Sequence, residues 1–334
     1  MVRTDVAIVV IGRNEGARLQ RSLASTQGWR RVYVDSGSVD GSVEAARRMG
    51  VPVIELSAER GFSAARGRNA GIDMLLADPS IRYLQMLDGD SALEPGWIAI
   101  ATDRLDREPE LGALFGRLRE REPDASIYGW MFDREWAVPA GPAAVFGGSV
   151  LLRVEAVRHA GGYQDDMIAG EDPDFALRLR MAGWRIECID APMAIHDGDM
   201  VRFRQWWRRT MRAGHAFAEL VDRHPGSTLH DYGRSRARIL FWAGLLPLAA
   251  VGGLLLAMLL DPRAIVGTVL VFALLLLNLV RIAVREALRH GIRRGVPFAL
   301  FLMLGKYAEM VGLLSYWRNR RRDRAPTLIE YKRS

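Results

Sequence analysis

Short apolar runs alternate with amphipathic stretches through the first part of the chain. DVAIVVI (5–11), RVYVD (31–35), VPVIEL (51–56) and YLQMLD (83–88) are rich in β-branched residues and bounded by turn formers, the pattern of buried strands. Between them, 41–50 and 63–78 carry helical spacing, with Asp40 or Ser42 placed to cap the first helix and Gly50 to close it. Strand, helix, strand at this rhythm predicts a mostly parallel, Rossmann-like α/β sheet with flanking helices. Ligands of such sheets sit beyond the carboxyl ends of the strands, where Asp35 and Asp88 fall.

After residue 200 the pattern changes. Residues 201–220 mix Phe203, Trp206, Trp207 and Phe217 with arginine and histidine, a composition suited to the lipid headgroup layer, so 201–238 is expected to form interfacial amphipathic helices. Residues 239–260 are uncharged and long enough to cross a bilayer. Asp261-Pro-Arg263 breaks the run. A second span, uncharged over 264–280, is drawn to 284 and completes a transmembrane hairpin over 239–284. Arg281, Arg285, Arg289, Arg293 and Arg294 follow the uncharged stretch, against Arg263 alone in the turn, so 1–238 is expected on the cytoplasmic side. Residues 297–317 are of spanning length, yet Lys306 and Glu309 fall in their middle, and a third span would carry the basic 318–324 outside. The expectation for 285–334 is therefore a basic loop, an interfacial amphipathic helix and a basic tail.

The net charge of +7 fits membrane lipids as a partner. Nucleic acid is not expected, because the basic-aromatic stretch directly precedes a membrane span. The single cysteine, Cys188, excludes an internal disulfide. DVAIVVI is too short for a secretory signal and runs straight into charged sequence.

For chemistry the carboxylates stand out. Asp-x-Asp occurs at Asp88/Asp90, Asp172/Asp174 and Asp197/Asp199, and each pair could be a metal site or an ordinary polar turn. Asp35 could accept hydrogen bonds from a nucleoside or start the next helix. Asp172-Pro173-Asp174 also fits a helix start. Ile11-Gly-Arg-Asn-Glu15 after the first strand lacks the glycine pattern of a dinucleotide fold, and no Gly-Lys-Ser/Thr phosphate loop is present.

The ordered set of IGRNEGARL, VDSGSVDGS, GRNAGI, LDGDSALEPGW, FGGSVLLRVEAVRHAGGY and GEDPDFALRLRMAGWRI resembles glycosyltransferase family 2 over roughly residues 5–210. The resemblance implies a GT-A catalytic domain over 1–200 and a nucleotide-sugar donor held through a divalent cation, Mg²⁺ or Mn²⁺. It implies Asp90 and His196 as metal ligands and Asp172, with Glu171, as the catalytic base pair. Arg13, Glu15, Asp35, Arg66, Arg68 and Asp88 would line the donor pocket. Gln205, Arg208 and Arg209 resemble the Gln-x-x-Arg-Trp signature of processive synthases, with arginine in place of the final tryptophan, and would serve the diphosphate or acceptor. The expected activity is inverting transfer to a hydroxyl of a lipid-linked or membrane-associated acceptor. The alternatives are a polyprenyl-phosphate glycosyltransferase, a sugar nucleotidylyltransferase or an inactive scaffold.

Overall fold

Val6 through Val10 expose nothing to solvent, because the strand they form, β1 (Val6–Gly12), is covered by structure on both faces. β2 (Arg30–Asp35) pairs with it in parallel, β3 (Val53–Glu55) extends the sheet beyond β2, and β4 (Tyr83–Asp88) lies on the other side of β1. Helices α1 (Ala17–Ser25), α2 (Ser42–Arg48) and α3 (Ala64–Leu75) make the crossovers. Gly41, rather than Asp40 or Ser42, occupies the cap position of α2. The Asp40 carboxylate instead accepts from Ser42 N at 3.1 Å, and the Ser42 hydroxyl accepts from Gly16 N at 3.2 Å, tying the loops after β1 and β2 together.

The computed structural model describes residues 3–227 and 232–322, which fall into two units, one ending at Met200 and one starting at Val201. Beyond β4 the first unit continues as β5 (Ser91–Leu93), α4 (Trp97–Arg107), β6 (Leu111–Glu120), α5 (Ile127–Glu135), β7 (Gly141–Pro142), β8 (Val150–Arg153), α6 (Val154–Ala160), α7 (Glu171–Met181) and β9 (Arg185–His196). The sheet order is β3-β2-β1-β4-β8-β6-β9-β5, with β7 beside β9. Strand directions are parallel from β3 to β4. Past that point they mix: β8 runs antiparallel to both β4 and β6, β9 parallel to β6, and β5 and β7 antiparallel to β9.

The β6–β9 ladder shifts register between Leu111 and Ala113, between Phe115 and Arg117, and again at Leu118. Such irregularities bend a strand and increase its twist. The curled far end sets Glu120 beside His196 on one side, and Ser91 beside His196 on the other.

The second unit is helical: α8 (Phe203–Arg223), α9 (Tyr232–Ile239), α10 (Leu246–Leu259), α11 (Ile265–His290) and α12 (Ile292–Arg321). A π-helical turn, Leu240–Leu245, joins α9 to α10 just ahead of Pro247, which has no N–H to give the preceding turn. Among the described residues, three stretches are long and apolar enough to cross a membrane: Tyr232–Leu259, Pro262–His290 and Ile292–Arg321. α8 lies along α12, with Trp206 against Phe301 at 4.9 Å and His215 against Tyr316 at 5.2 Å between ring centroids. Only glycine fits at position 312, since a Cβ there would stand 1.9 Å from the Met211 carbonyl oxygen. The end of the expected basic tail, 323–334, and residues 228–231 of the expected interfacial stretch lie outside the described residues.

Candidate active site

Register brings the loop residues to one edge. Gly12 lies opposite Asp35 and Ile11 opposite Asp88, so the ends of β1, β2 and β4 open on the same side of the sheet. Gly89 N donates to Ile11 O at 2.7 Å and fixes the turn that carries Asp88 and Asp90.

Arg68, on α3, is the hub of this edge. Its guanidinium is 2% exposed and reaches Asp88 through Nη2 at 3.0 Å, and Glu171 and Asp172 through Nη1 at 3.0 and 3.4 Å. Burial alone would lower its pKa; the negative charges around it, led by Asp172 and Asp88, outweigh burial and raise it well above the ordinary value. The sequence reading gives Arg68 to the donor. The structure commits it to three carboxylates and thereby joins the Asp88 turn to the start of α7. A Cβ at Gly148 would come within 2.1 Å of Asp88 Oδ2 and 2.7 Å of Arg68 Nη2, so the glycine of FGGS leaves the space in which this cluster sits.

At the start of α7, Gly170 is left-handed (φ 82°), and Glu171, Asp172 and Asp174 fill the first turn. Asp174 is buried and pairs with Arg178 at 2.8 Å, which fixes the helix. Glu171 and Asp172 turn to Arg68 instead.

Asp90 and His196 form a second group, with Asp90 Oδ2 3.2 Å from His196 Nε2 and both side chains almost fully buried. The opposite ring atom, Nδ1, lies 2.5 Å from Glu120 Oε1. Burial would lower the histidine pKa, but Asp90 and Glu120 raise it to about 10, so a positive charge is favoured between the two carboxylates. β9 runs through to His196, so this histidine ends a strand and is not a loop residue. A carboxylate and an imidazole side by side suit a divalent cation with oxygen and nitrogen ligands. Among the described residues no set of three or more acidic, histidine or cysteine side chains is gathered to hold an ion unaided, so donor oxygens or water would have to complete a shell.

The remaining candidates of this unit have contacts of their own. Asp35 is buried: Oδ2 accepts from Gly37 N and Ser38 N at 2.9 and 2.7 Å, and Oδ1 from the Tyr33 hydroxyl at 2.7 Å. Burial and the neighbouring Asp35 push the Tyr33 phenol up, so it stays a donor. Asn14, with φ 57°, accepts from Val39 N at 2.8 Å and gives its own N–H to Ser38 Oγ at 2.8 Å. Arg13 lies over Phe62 at 5.1 Å, and Glu15 pairs with Arg18 at 3.1 Å. Arg66 donates to the Gly61 and Ser57 carbonyls and so braces the 57–61 turn.

Gln205, Arg208 and Arg209 are on α8 in the second unit. The Gln205 Oε1 accepts from Val201 N and Arg202 N at 3.0 and 2.9 Å, closing the helix start, while Arg208 and Arg209 are half-buried. Glu120 and Gly148 are the two members of the clusters that sequence reasoning did not name.

Residues 7–136 match Glycosyl transferase family 2, and residues 125–307, over half the chain, match Glycosyl transferase family group 2. The chain is 27% identical over 238 residues to the pre-mycofactocin glycosyltransferase of Mycobacterium tuberculosis, in two strains, covering 67% of this chain and 49% of that protein. It is 21% identical over 237 residues to the beta-monoglucosyldiacylglycerol synthase of Trichormus variabilis, covering 65% and 50%. The chain thus spans about half the length of the curated relatives it matches. A mannosyltransferase from Pyrobaculum calidifontis, solved in complex with GDP-Man and Mn²⁺, superposes with a TM-score of 0.59 at 18% identity, covering 94% of this chain and 88% of that one.

Proposed function

The chain belongs to glycosyl transferase family 2 and has a GT-A fold with an apolar helical region, and from that premise we propose that it transfers a sugar, with inversion, from a nucleotide-sugar donor to a hydroxyl of a lipid-linked or membrane-associated acceptor. The observation that carries this reading is the Arg68 hub, which gathers Asp88, Glu171 and Asp172 at one sheet edge. A donor-side acid and a base pair so joined suit a single displacement. Asp172 takes the proton of the acceptor hydroxyl, the acceptor oxygen bonds to the anomeric carbon, and the bond from that carbon to the nucleoside diphosphate breaks, its electron pair leaving with the diphosphate. Glu171 shares Arg68 with Asp172 and holds the base in place.

Asp90 and His196 would hold the cation, Mg²⁺ or Mn²⁺. When bound, that ion offsets the charge gained by the leaving diphosphate. The 12–16 and 36–42 loops, stitched through Asn14, are the nucleoside side of the pocket. Asp35 is largely spent on its own turn and on Tyr33, so its contribution there is to shape the pocket, with one acceptor direction left for a donor group. The Pyrobaculum enzyme's GDP-Man and Mn²⁺ and the glycolipid named for the Trichormus relative support the donor, ion and acceptor classes. Arg281, Arg285 and Arg289 toward the end of α11, Arg293 and Arg294 at the start of α12, and the apolar α10–α11 pair support a catalytic unit on the cytoplasmic face of the inner membrane.

The test is donor binding and hydrolysis by detergent-solubilised protein with Mn²⁺, across UDP-, GDP- and dTDP-sugars. One donor should bind wild type, Asp90→Ala should lose metal-dependent binding, and Asp172→Asn should bind yet turn over about 10²–10⁴-fold more slowly. Undiminished turnover by Asp172→Asn would remove the base assignment.

A further inference from the structure

We propose that Glu120 is a positioning residue that aims His196 at the ion-binding side of Asp90. The inference rests on the reading of Asp90 and His196 as cation ligands. Glu120 closes β6, and the β6–β9 register sets it directly beside His196, so its carboxylate reaches the ring across one strand spacing.

The carboxylate is 8% exposed and takes three donors: His196 Nδ1 and Trp136 Nε1 on Oε1, at 2.5 and 2.9 Å, and Gly198 N on Oε2, at 3.2 Å. The strand end is itself anchored. Asp133 accepts from Glu120 N at 3.0 Å and pairs with Arg119 at 2.7 Å, so the neighbouring arginine is engaged elsewhere. Phe132 on α5 and Trp136 just past its end meet the imidazole edge-on at 5.5 and 5.7 Å between centroids and limit its rotation.

The consequence for His196 is definite. With Nδ1–H given to Glu120, the atom placed to ligate once an arriving cation displaces its proton is Nε2, and Nε2 is the one 3.2 Å from Asp90. A carboxylate behind a ligating histidine fixes its tautomer and raises its basicity, and losing such a partner typically costs about 10–100-fold in metal affinity. Trp136 fixes the carboxylate in turn, so the chain of orientation runs Trp136, Glu120, His196, Asp90.

The experiment is Mn²⁺ titration of the full chain in detergent, followed by electron paramagnetic resonance with saturating UDP or GDP, with melting temperature read in parallel. Wild type should show bound Mn²⁺ with an imidazole nitrogen coupling, and His196→Ala should lose that coupling. Glu120→Ala should weaken Mn²⁺ about 10–100-fold. Glu120→Gln, which keeps an acceptor but loses the charge, should fall between Ala and wild type, and it carries the test should the alanine variant not fold. Wild-type affinity and nitrogen coupling in Glu120→Gln and Glu120→Ala, or lower melting temperature alone, overturns the role of Glu120 and leaves the ligand assignment standing. No Mn²⁺ binding by wild type, or a nitrogen coupling unchanged in His196→Ala, overturns the ligand assignment and this inference with it.

Discussion

At the scale of single residues, Arg68 bears the heaviest electrostatic demand. A guanidinium withdrawn from water is tolerable because Asp88, Glu171 and Asp172 surround it, and those acids are in turn held by one shared cation. Arg68→Met should therefore destabilise the catalytic unit by about 3–5 kcal/mol, the range for breaking a buried charge pair from one side. Chemical unfolding of the full chain measures this, and adding Asp88→Asn to the variant should recover part of the loss. A cost under about 1 kcal/mol would mean that the cluster is solvated and that Arg68 is not its organiser.

At the scale of elements, the first four strands were readable because each is one short apolar run bounded by turn residues. Asp88, Asp90, Glu171 and Asp172 were readable too, since each motif lies within a few residues of chain. Glu120 was not, because its partner His196 is 76 positions away and β6, the strand that ends in Glu120, carries two glycines and pairs with β9 in shifted register. One signal was present: in Arg117-Leu-Arg-Glu120 the alternation puts Glu120 on the same buried face as Leu118. Arg68 was legible as a candidate, but its three carboxylate partners were not, because no local pattern tells which acids fold over a given arginine. Gln205 was singled out by a signature, and that its Oε1 also closes the start of α8 was not legible.

α8 also carries a pH-dependent contact. His215 is 1% exposed against Tyr316 of α12, with Arg212 and Glu219 on its own helix, the latter 3.5 Å from Nδ1. Burial, aided by Arg212, lowers its pKa to about 4, so the ring is neutral at pH 7 and the Glu219 contact is not a charge pair there. Unfolded histidine titrates near ~6.5. Between these values the unfolded chain binds a proton that the folded one does not, so stability is complete above the upper value and falls as pH drops toward the lower. The loss is on the order of 3 kcal/mol, and His215→Phe should flatten the melting-temperature profile over that window.

At the scale of the whole molecule, the catalytic unit and the helical unit make different demands on the cell. Lys306 and Glu309 pair at 2.6 Å near the middle of α12, and α8, which lies along α12, is rich in arginine. Both features favour a helix held at the membrane surface over a third span. Cysteine labelling of a Cys188→Ala background decides it. Arg263→Cys should react from outside intact cells, and Arg321→Cys only after permeabilisation; outside labelling of Arg321→Cys would make α12 a span. The curled end of the sheet has a further consequence, for the order of synthesis. Asp90, Glu120 and His196 come from three separate stretches, the last of them the final strand of the catalytic unit. A nascent chain that has made β1 through β8 holds the loops after β1 and β2 and both acids, yet Asp90 and Glu120 do not have the His196 imidazole to share. Any chain stopped short of residue 196 is thus left without this cluster, and the emerging polypeptide completes it only as the last strand of the domain docks.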